Sequence, residues 1–405
     1  MNIQKMSIIS TVTVTVPATT ANLGPGFDCI GAALTLYNHF NFSLLQEAET
    51  LRITATGTEA AKVKTDDSNL AYQAFVKLYE YLGQSPPSVA IEISLGVPLA
   101  RGLGSSATAI AGGLVGANYL AGEPLTPVEV MQLAIAIEGH PDNVVPALFG
   151  GCRLAATKGE PPQPPLSKGG LNAEVIESPL SKGGLNSESP LSKGGLNSEP
   201  PLSKGGLNSE PPLSKGELNS EPPLSKGGLN SEPPLSKGGL NSEPPLSKGG
   251  QGGCNWEICD IPWHSDIVPI VAIPDFELST AEARKVLPTE YSKADAIFNA
   301  AHLGLLVRGL ATGNADWLRS AMQDKIHQPY RQSLIKGYSA VREAAIAAGA
   351  YEMVISGAGP TLLALATREV ATAVAAAMAD AWQQEGAIAQ VRSLSLDTQG
   401  ATISV

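Results

Sequence analysis

PLARGLGSSATAIAGG, residues 98–113, leads from an apolar, strand-like segment into a helix of small residues. Gly102 and Gly104 permit a tight turn without side chains, and Ser105 and Ser106 begin the helix. Such a turn points several backbone N–H groups and the positive end of a helix dipole at one position, which is how many proteins bind phosphate. The stretch therefore predicts an anion site.

The same stretch does not match the commonest phosphate and nucleophile motifs. No Gly-Lys-Ser/Thr follows, as Walker A requires, and neither G-x-G-x-x-G nor G-x-S-x-G is present. Glycine-rich turns before a serine N-cap are also common as purely structural features. The loop alone leaves both interpretations open.

A second polar cluster lies in IEGHPDNVVPALFGG, residues 137–151, where an apolar helix meets Pro141. Glu138, His140, Asp142 and Asn143 stand close together in this stretch. Magnesium prefers hard oxygen ligands, and Glu138 with a serine hydroxyl would provide them. A solvated helix end is the alternative interpretation. We expect the apolar residues after Asn143 to form a strand that ends near residue 156.

Two further stretches carry polar groups in apolar surroundings. In VPATTANLGPGFDCIGAAL, residues 16–34, Asp28 follows a loop that contains Asn22. A carboxylate in an apolar run needs a partner, so Asp28 either pairs within the protein or faces a ligand. ISGAGPTLLALA, residues 355–366, predicts two strands around a glycine-rich turn, which a plain hairpin also explains.

An eleven-residue phrase, typified by PPLSKGGLNSE, repeats within residues 161–251. This segment has eight Lys, nine Glu and no aromatic residue, so it cannot bury enough apolar surface to offset its chain entropy. We expect a disordered insertion between strands, because strand-like sequence flanks it on both sides. A proline-recognition ligand is the alternative, although P-x-x-P is not typical of the repeat.

Composition limits the classes of partner. The formal net charge is -11 and no Lys/Arg cluster occurs, which argues against a nucleic-acid or anionic-membrane surface. The N-terminal segment alternates Thr and Val as a strand does, and no long apolar block follows. With four scattered cysteines as well, we expect a cytoplasmic protein without an export signal or a membrane span.

Strand clusters mixed with helices, without strict alternation, predict an α+β fold with two lobes. The predicted strands include 7–16, 28–36, 41–46, 51–57 and 89–96. The predicted helices include 69–83, 105–121, 127–138, 280–287, 293–310, 332–349 and 369–385.

The motifs together resemble the kinase superfamily named after galactokinase, homoserine kinase, mevalonate kinase and phosphomevalonate kinase, the GHMP kinases. Three of its signatures fall in order: the NLGPGFD loop, the P-x-x-x-GLGSSA phosphate loop and the late G-x-GP turn. The resemblance covers everything but the repeat. It is strongest to the homoserine kinases, through TANLGPGFDCIG, EGHPDNVVPALFGG, STAEARKVLP and DKIHQPYR.

The resemblance implies a two-lobed, GHMP-type small-molecule kinase fold. Its parts would be an ATP-binding lobe at 1–160, the repeat insertion at 161–251 and a C-terminal α+β lobe at 252–405. ATP would lie with its adenine side near Asn69, and Ser106 and Glu138 would bind Mg²⁺. The implied phosphate loop consists of Pro98, Leu99, Ala100, Arg101, Gly102, Leu103, Gly104, Ser105, Ser106, Ala107 and Thr108.

The implied second substrate is L-homoserine, a zwitterion with a terminal hydroxyl. Arg284 and Arg331 would bind its carboxylate, since an arginine fork suits that planar group. The remaining implied substrate contacts are Asn22, Asp28, His140 and Thr280.

The resemblance also places an asparagine, Asn143, where mevalonate-type relatives have an aspartate base. We therefore expect direct attack of the hydroxyl on the γ-phosphoryl group, with Glu138, Asn143 and Arg331 as the catalytic residues. Another kinase of the superfamily and a non-catalytic nucleotide or ligand sensor are the alternatives. We expect no nucleic-acid or membrane partner, and we leave a homodimer open.

Overall fold

The computed structural model describes residues 10–45, 49–158 and 256–405, which form two sheets with helices packed on them. The first sheet has the path β11 (Thr402–Ser404), β1 (Thr11–Ala21), β2 (Ile30–Leu44), β4 (Val89–Ser94) and β3 (Leu51–Thr56). It continues from β2 through β5 (Cys152–Thr157) to β6 (Trp256–Ile261). Only β3 and β4 run parallel among the described pairs.

The second sheet is antiparallel, in the order β10 (Ala389–Ser393), β7 (Ile267–Pro274), β9 (Leu362–Thr367) and β8 (Glu352–Ile355). The described helices are α1 (Leu70–Tyr81), α2 (Ser105–Leu120), α3 (Pro127–Glu138), α4 (Pro141–Phe149), α5 (Thr280–Lys285), α6 (Lys293–Thr312), α7 (Ala315–Ala321), α8 (Gln328–Arg331), α9 (Tyr338–Ala347) and α10 (Ala371–Gln384). Two short 3-10 helices lie at Ala60–Lys62 and Gln332–Leu334.

The cores follow from the apolar patterns of these elements. In β1 every second residue from Val12 to Val16 is fully buried, because successive side chains of a strand point to opposite faces. Helices α1 to α4 contribute to the core beneath this face, where Phe42 and Phe75 stack. Trp382 of α10 is buried in a separate core against the second sheet. The α+β fold predicted from the sequence is confirmed.

Four predicted elements need correction. The strands expected at 28–36 and 41–46 form one strand, β2, whose pairing with β1 shifts register between Pro17 and Ala18. The strand expected directly after Asn143 is the helix α4, whose adjacent valines, Val144 and Val145, and internal Pro146 are residue types that disfavour a helix interior. The helix expected at 332–349 begins only at Tyr338, after Gly337 in the left-handed region at φ 77°.

The insertion interrupts a hairpin. Strands β5 and β6 pair antiparallel, and Thr157 is the register partner of Trp256. The predicted position of the insertion between strands is therefore confirmed. The disorder expected for 161–251 lies outside the described residues, and the lobe boundaries at 160 and 252 stay predictions. Among the described helices, none combines the length and apolar character that a membrane span requires.

Candidate active site

A cavity of about 700 Å³ collects most of the residues that the sequence singled out. Its walls come from the β1–β2 loop, the start of α1, the loop before α2, the end of α3, helix α5 and the β8–β9 turn. From the predicted set, the lining residues are Asn22, Asp28, Asn69, Leu99, Ala100, Arg101, Gly102, Gly104, Ser105, Ser106, Glu138, His140, Asn143, Thr280, Arg284 and Arg331. Segments far apart in sequence thus meet at one site.

The loop before α2 has a conformation that only particular residues adopt easily. Ala100, Gly102 and Gly104 all have positive φ, at 52°, 75° and 66°. A Cβ added at Gly104 would overlap the Thr19 hydroxyl, so the loop also lies too close to β1 for a side chain there. Helix α2 begins at the next residue, and its first backbone N–H groups have no intrahelical partner. The loop therefore presents donors and a helix N-terminus to the cavity.

Four predicted phosphate-loop residues do not line the cavity. Pro98 is absent from its wall, and the side chains of Leu103, Ala107 and Thr108 are fully buried in the protein. The Thr108 hydroxyl donates to the Ser105 carbonyl at 2.8 Å. These residues therefore shape the loop from within the protein and do not face the cavity.

The Arg101 side chain binds protein rather than the cavity. Its guanidinium lies 3.5 Å from the Glu59 carboxylate and 3.2 Å from that of Glu277, and it is 7% exposed. It also donates to the carbonyls of Pro274 at 3.0 Å and Asp275 at 3.2 Å. The loop is thereby tied to the end of β7, and neither carboxylate partner was predicted from the sequence.

Ser106 and Glu138 meet as predicted. The Ser106 hydroxyl donates to the Glu138 carboxylate at 2.8 Å, which joins the start of α2 to the last residue of α3. Burial raises the pKa of Glu138, while His140 and Ser106 act in the opposite direction. The pair offers two hard oxygen donors at the edge of the phosphate loop, the donor chemistry that Mg²⁺ prefers.

His140 and Asn143 are held by neighbours. His140 Nδ1 lies 2.5 Å from the Asp142 carboxylate. Burial alone would lower the pKa of His140, but the charge and hydrogen bond of Asp142 outweigh burial and raise it to about 9. The side-chain oxygen of Asn143 accepts a hydrogen bond from the Thr19 hydroxyl at 2.8 Å. Asp142, which belongs to the predicted polar cluster but was given no role in the site, is thus the residue that orients His140.

Asp28 and Arg284 form a two-pronged ion pair. The guanidinium nitrogens lie 3.1 and 2.8 Å from the two Asp28 carboxylate oxygens. Asp28 has a positive φ of 55°, and its backbone N–H donates to the Asn22 side chain at 2.8 Å. The Asn22 amide in turn donates to the Gly357 carbonyl at 2.9 Å. Asn22 therefore fixes the loop that presents Asp28.

Arg331 is 1% exposed in the floor of the cavity, and Thr280 lies nearby at the start of α5. The Arg331 guanidinium donates to the carbonyls of Ala283 at 3.1 Å and Gly357 at 3.2 Å. Burial, followed by the charge of Arg284, lowers the pKa of Arg331 to about 10. One carbonyl, that of Gly357, thus accepts from both Asn22 and Arg331.

Asn69 has a structural role that is visible in its contacts. Its side-chain oxygen accepts from the backbone N–H of Ala71 at 3.0 Å and of Tyr72 at 3.3 Å, as an N-cap does. Its amide donates to the Lys64 carbonyl at 2.7 Å. Asn69 lines the cavity beside Lys62, Lys64 and Leu70, none of which was selected from the sequence.

The β8–β9 turn does more than close a hairpin. The Ser356 hydroxyl donates to the Gly102 carbonyl at 2.6 Å, and the Gly357 backbone N–H donates to the Ala21 carbonyl at 2.9 Å. The turn therefore joins the phosphate loop to the end of β1. The GAGPT stretch was the available signal, but the sequence offered no means of placing it against these elements.

The fold is that of the GHMP kinases. The family model for the GHMP kinases N terminal domain matches residues 69–151, and that for the GHMP kinases C terminal domain matches residues 306–384. The fold is similar to the crystal structure of homoserine kinase from Cytophaga hutchinsonii, with a TM-score of 0.69 at 22% identity over 100% of both chains. It is also similar to L. major mevalonate kinase, with a TM-score of 0.57 at 12% identity over 97% of this chain and 98% of the other.

The relatives most similar in sequence among those found belong to one family of GHMP kinases. The homoserine kinase of Trichormus variabilis is 56% identical over 98% of this chain and 100% of the relative. That of Trichodesmium erythraeum is 53% identical over the same shares, and that of Synechococcus sp. is 45% identical over 97% of each chain. The chain belongs to the homoserine kinase family.

Proposed function

We propose that this protein transfers the γ-phosphoryl group of ATP to the side-chain hydroxyl of L-homoserine, which gives O-phospho-L-homoserine and ADP, as in threonine biosynthesis. One observation carries the proposal. A single cavity contains a phosphate loop with an adjacent pair of oxygen donors and, on another wall, an aspartate with two arginines. This set is complementary to a nucleotide triphosphate and to a small zwitterion.

ATP would bind with its phosphates on the loop of residues 98–108. The backbone between Leu99 and Ser106 lines the cavity, and the N-terminus of α2 favours negative charge there. The adenine side would lie towards Asn69, where Val63, Leu70 and Leu95 offer apolar surface. Asn69 would act there chiefly by holding α1 in place, because both ends of its amide are already engaged.

Mg²⁺ fits the Ser106–Glu138 pair by its donor chemistry, since both side chains offer oxygen and lie 2.8 Å apart. When bound, the ion would neutralise negative charge on the phosphoryl oxygens. Glu138 is partly buried and its carboxylate is held in place by Ser106. The protein therefore supplies the ligands in a fixed arrangement.

Homoserine would replace the internal ion pair of the cavity. Its ammonium group would bind the Asp28 carboxylate, and its carboxylate would bind Arg284 and Arg331. His140 and Thr280 line the same cavity and would contact the substrate, while Asn22 would hold the Asp28 loop. Without substrate, the Asp28 carboxylate and the Arg284 guanidinium pair with each other. With substrate, each would pair with the opposite charge of homoserine.

The transfer itself would proceed without a carboxylate base at residue 143. The Asn143 side-chain oxygen accepts from Thr19, and an amide cannot take up a proton. The homoserine hydroxyl oxygen would bond to the γ-phosphorus as the bond from that phosphorus to the bridging oxygen of ADP breaks. The hydroxyl proton would pass to the transferred phosphoryl group, and positioning with charge stabilisation would lower the barrier.

A coupled assay for ADP release tests the proposal. We expect release with L-homoserine and ATP, and none above background with mevalonate or galactose. Phosphorus NMR should identify O-phospho-L-homoserine as the product. Equal turnover of another alcohol would favour a different kinase of the superfamily, and nucleotide binding without turnover would favour a sensor. Cytoplasmic localisation and the lack of a nucleic-acid partner stay predictions from the sequence, and a homodimer stays open.

A further inference from the structure

The aromatic ring of Phe27 lies where the two cavity arginines meet. The guanidinium carbon of Arg331 is 5.0 Å from the ring centroid, and that of Arg284 is 5.7 Å from it. Both distances fall within the range of cation–π attraction, about 6 Å. Phe27 directly precedes Asp28 in the chain, and its side chain is only partly buried.

Two guanidinium groups close together repel each other, so their placement needs compensation. Asp28 forms an ion pair with Arg284, whereas Arg331 has no ion pair within the described ranges and is held by two carbonyls. If the substrate ammonium binds Asp28, Arg284 loses part of its internal partner. The Phe27 ring then still contacts both guanidinium groups.

The ring is itself fixed by a buried histidine. His327 stacks on Phe27 with centroids 5.1 Å apart and an interplanar angle of 21°. Its Nε2 atom lies 2.9 Å from the Gly24 carbonyl, and its backbone N–H donates to the Asp324 carboxylate at 2.8 Å. Burial lowers the pKa of His327, so the stacked imidazole adds no third positive charge beside the arginines.

We propose that Phe27 is a positioning residue whose ring holds Arg284 and Arg331 at the spacing that receives one substrate carboxylate. The inference rests on the proposed function and deepens it. It gives a role to the phenylalanine of the NLGPGFD motif, which is not among the substrate contacts that the resemblance implies. It also requires that removing the ring weakens binding of the carboxylate and leaves the nucleotide end of the cavity unchanged.

The test compares Phe27→Leu, which removes the π face, with Phe27→Tyr, which keeps it. We expect Phe27→Leu to raise KM for L-homoserine about tenfold, since two cation–π contacts are lost. The kcat value and KM for ATP should stay within about twofold of the parent chain. Phe27→Tyr should stay within about twofold in all three. Tyr351→Leu is the matched control, because the Arg319 guanidinium carbon lies 6.0 Å from the Tyr351 ring centroid and Tyr351 does not line the cavity.

L-Homoserinamide separates positioning of the carboxylate site from a general loss of structure. The amide lacks the negative charge, so Phe27→Leu should change its kcat/KM, or its competition with homoserine, by less than about twofold. An equal loss for amide and acid would overturn the inference. Thermal unfolding checks that each variant is folded, and Phe27→Met, which retains bulk without a ring, takes the place of Phe27→Leu if the latter unfolds.

The outcomes separate this inference from the proposed function. If the parent chain does not phosphorylate homoserine, the proposed function is wrong and this inference falls with it. If the parent chain is active and KM for homoserine is unchanged in Phe27→Leu, only the inference about Phe27 is wrong.

Discussion

At the scale of single residues, the proposed substrate site contains two opposite charges, on Asp28 and Arg284, that pair with each other. Asp28 and Arg284 are each partly exposed, at 33% and 41% of their side chains, and face one another in the cavity. Exposed ion pairs contribute little to stability, so exchanging this pair for a zwitterion costs little free energy. A substrate with one positive and one negative group is therefore a matched replacement.

Asp28→Asn should raise KM for homoserine more than tenfold, because the ammonium group loses its charged acceptor while Arg284 loses its partner. The kcat value should fall much less. Steady-state kinetics with varied homoserine at saturating ATP measure both values. The control is Asp316→Asn, which removes the carboxylate of the exposed Arg319 pair outside the cavity. A turnover abolished at unchanged affinity would instead identify Asp28 as a general base.

Glu138→Gln should lower kcat by about a hundredfold or more, since the side chain that would bind Mg²⁺ loses its negative charge. The magnesium concentration that gives half-maximal rate should also rise. Titration of activity against magnesium measures this, with thermal unfolding as the test of folding. Glu80→Gln, in an exposed pair on α1, is the control and should change neither quantity. An unchanged magnesium dependence would remove Glu138 from the metal site.

At the scale of elements, the loop before α2 works through backbone shape. Arg101 ties it to β7, Ser356 ties it to the β8–β9 turn, and Thr19 donates its backbone N–H to the Leu103 carbonyl at 3.1 Å. Three separate elements thus fix the direction of the amides at the start of α2. Little of this depends on side chains that point into the cavity.

Gly104→Ala should raise KM for ATP at least tenfold, because a Cβ there meets the Thr19 hydroxyl and φ is 66°. Gly122→Ala is the matched control: its φ is 85°, but no atom lies within 4 Å of the added Cβ. The control should share the backbone strain and a modest loss of thermal stability, without the change in KM. Equal effects in the two variants would mean that strain alone, and not the loop's approach to β1, governs ATP binding.

The sequence predicted the elements better than their contacts. Alternation in β1 and glycine-serine chemistry at α2 are local signals, and both elements form, although β1 ends at Ala21 rather than at residue 16. Helix α4 was missed because Val144, Val145 and the internal Pro146 are poor helix formers in isolation. Arg101 was placed in the phosphate loop, but its partners Glu59 and Glu277 are distant in sequence. Nothing local encodes such a pairing.

At the scale of the whole molecule, the site is assembled from both sides of the insertion. Asp28 and Glu138 precede it, whereas Arg284 and Arg331 follow it. The residue types at the site were predictable from motifs, while their convergence depends on topology. The roles of Phe27 and His327 were not predictable, because the two rings stack on each other from segments far apart in the sequence.

Deletion of residues 161–251 should leave kcat and both KM values within about twofold of the full chain. The strands on either side pair with each other up to Thr157 and Trp256, so a short connection can close the hairpin. Each halving of a loop recovers only about 0.6 kcal/mol, so stability should stay equal or rise modestly. The coupled assay and thermal unfolding measure both. Loss of activity or folding would show that the repeat is more than a passive insertion.

The β5–β6 hairpin has a practical consequence. Register partners on neighbouring strands stand only about 5 Å apart, so the chain leaves and re-enters the sheet at almost one point. Any polypeptide whose own two ends lie that close could be grafted between Thr157 and Trp256. Internal tagging at this junction would keep both termini of the enzyme free for immobilisation.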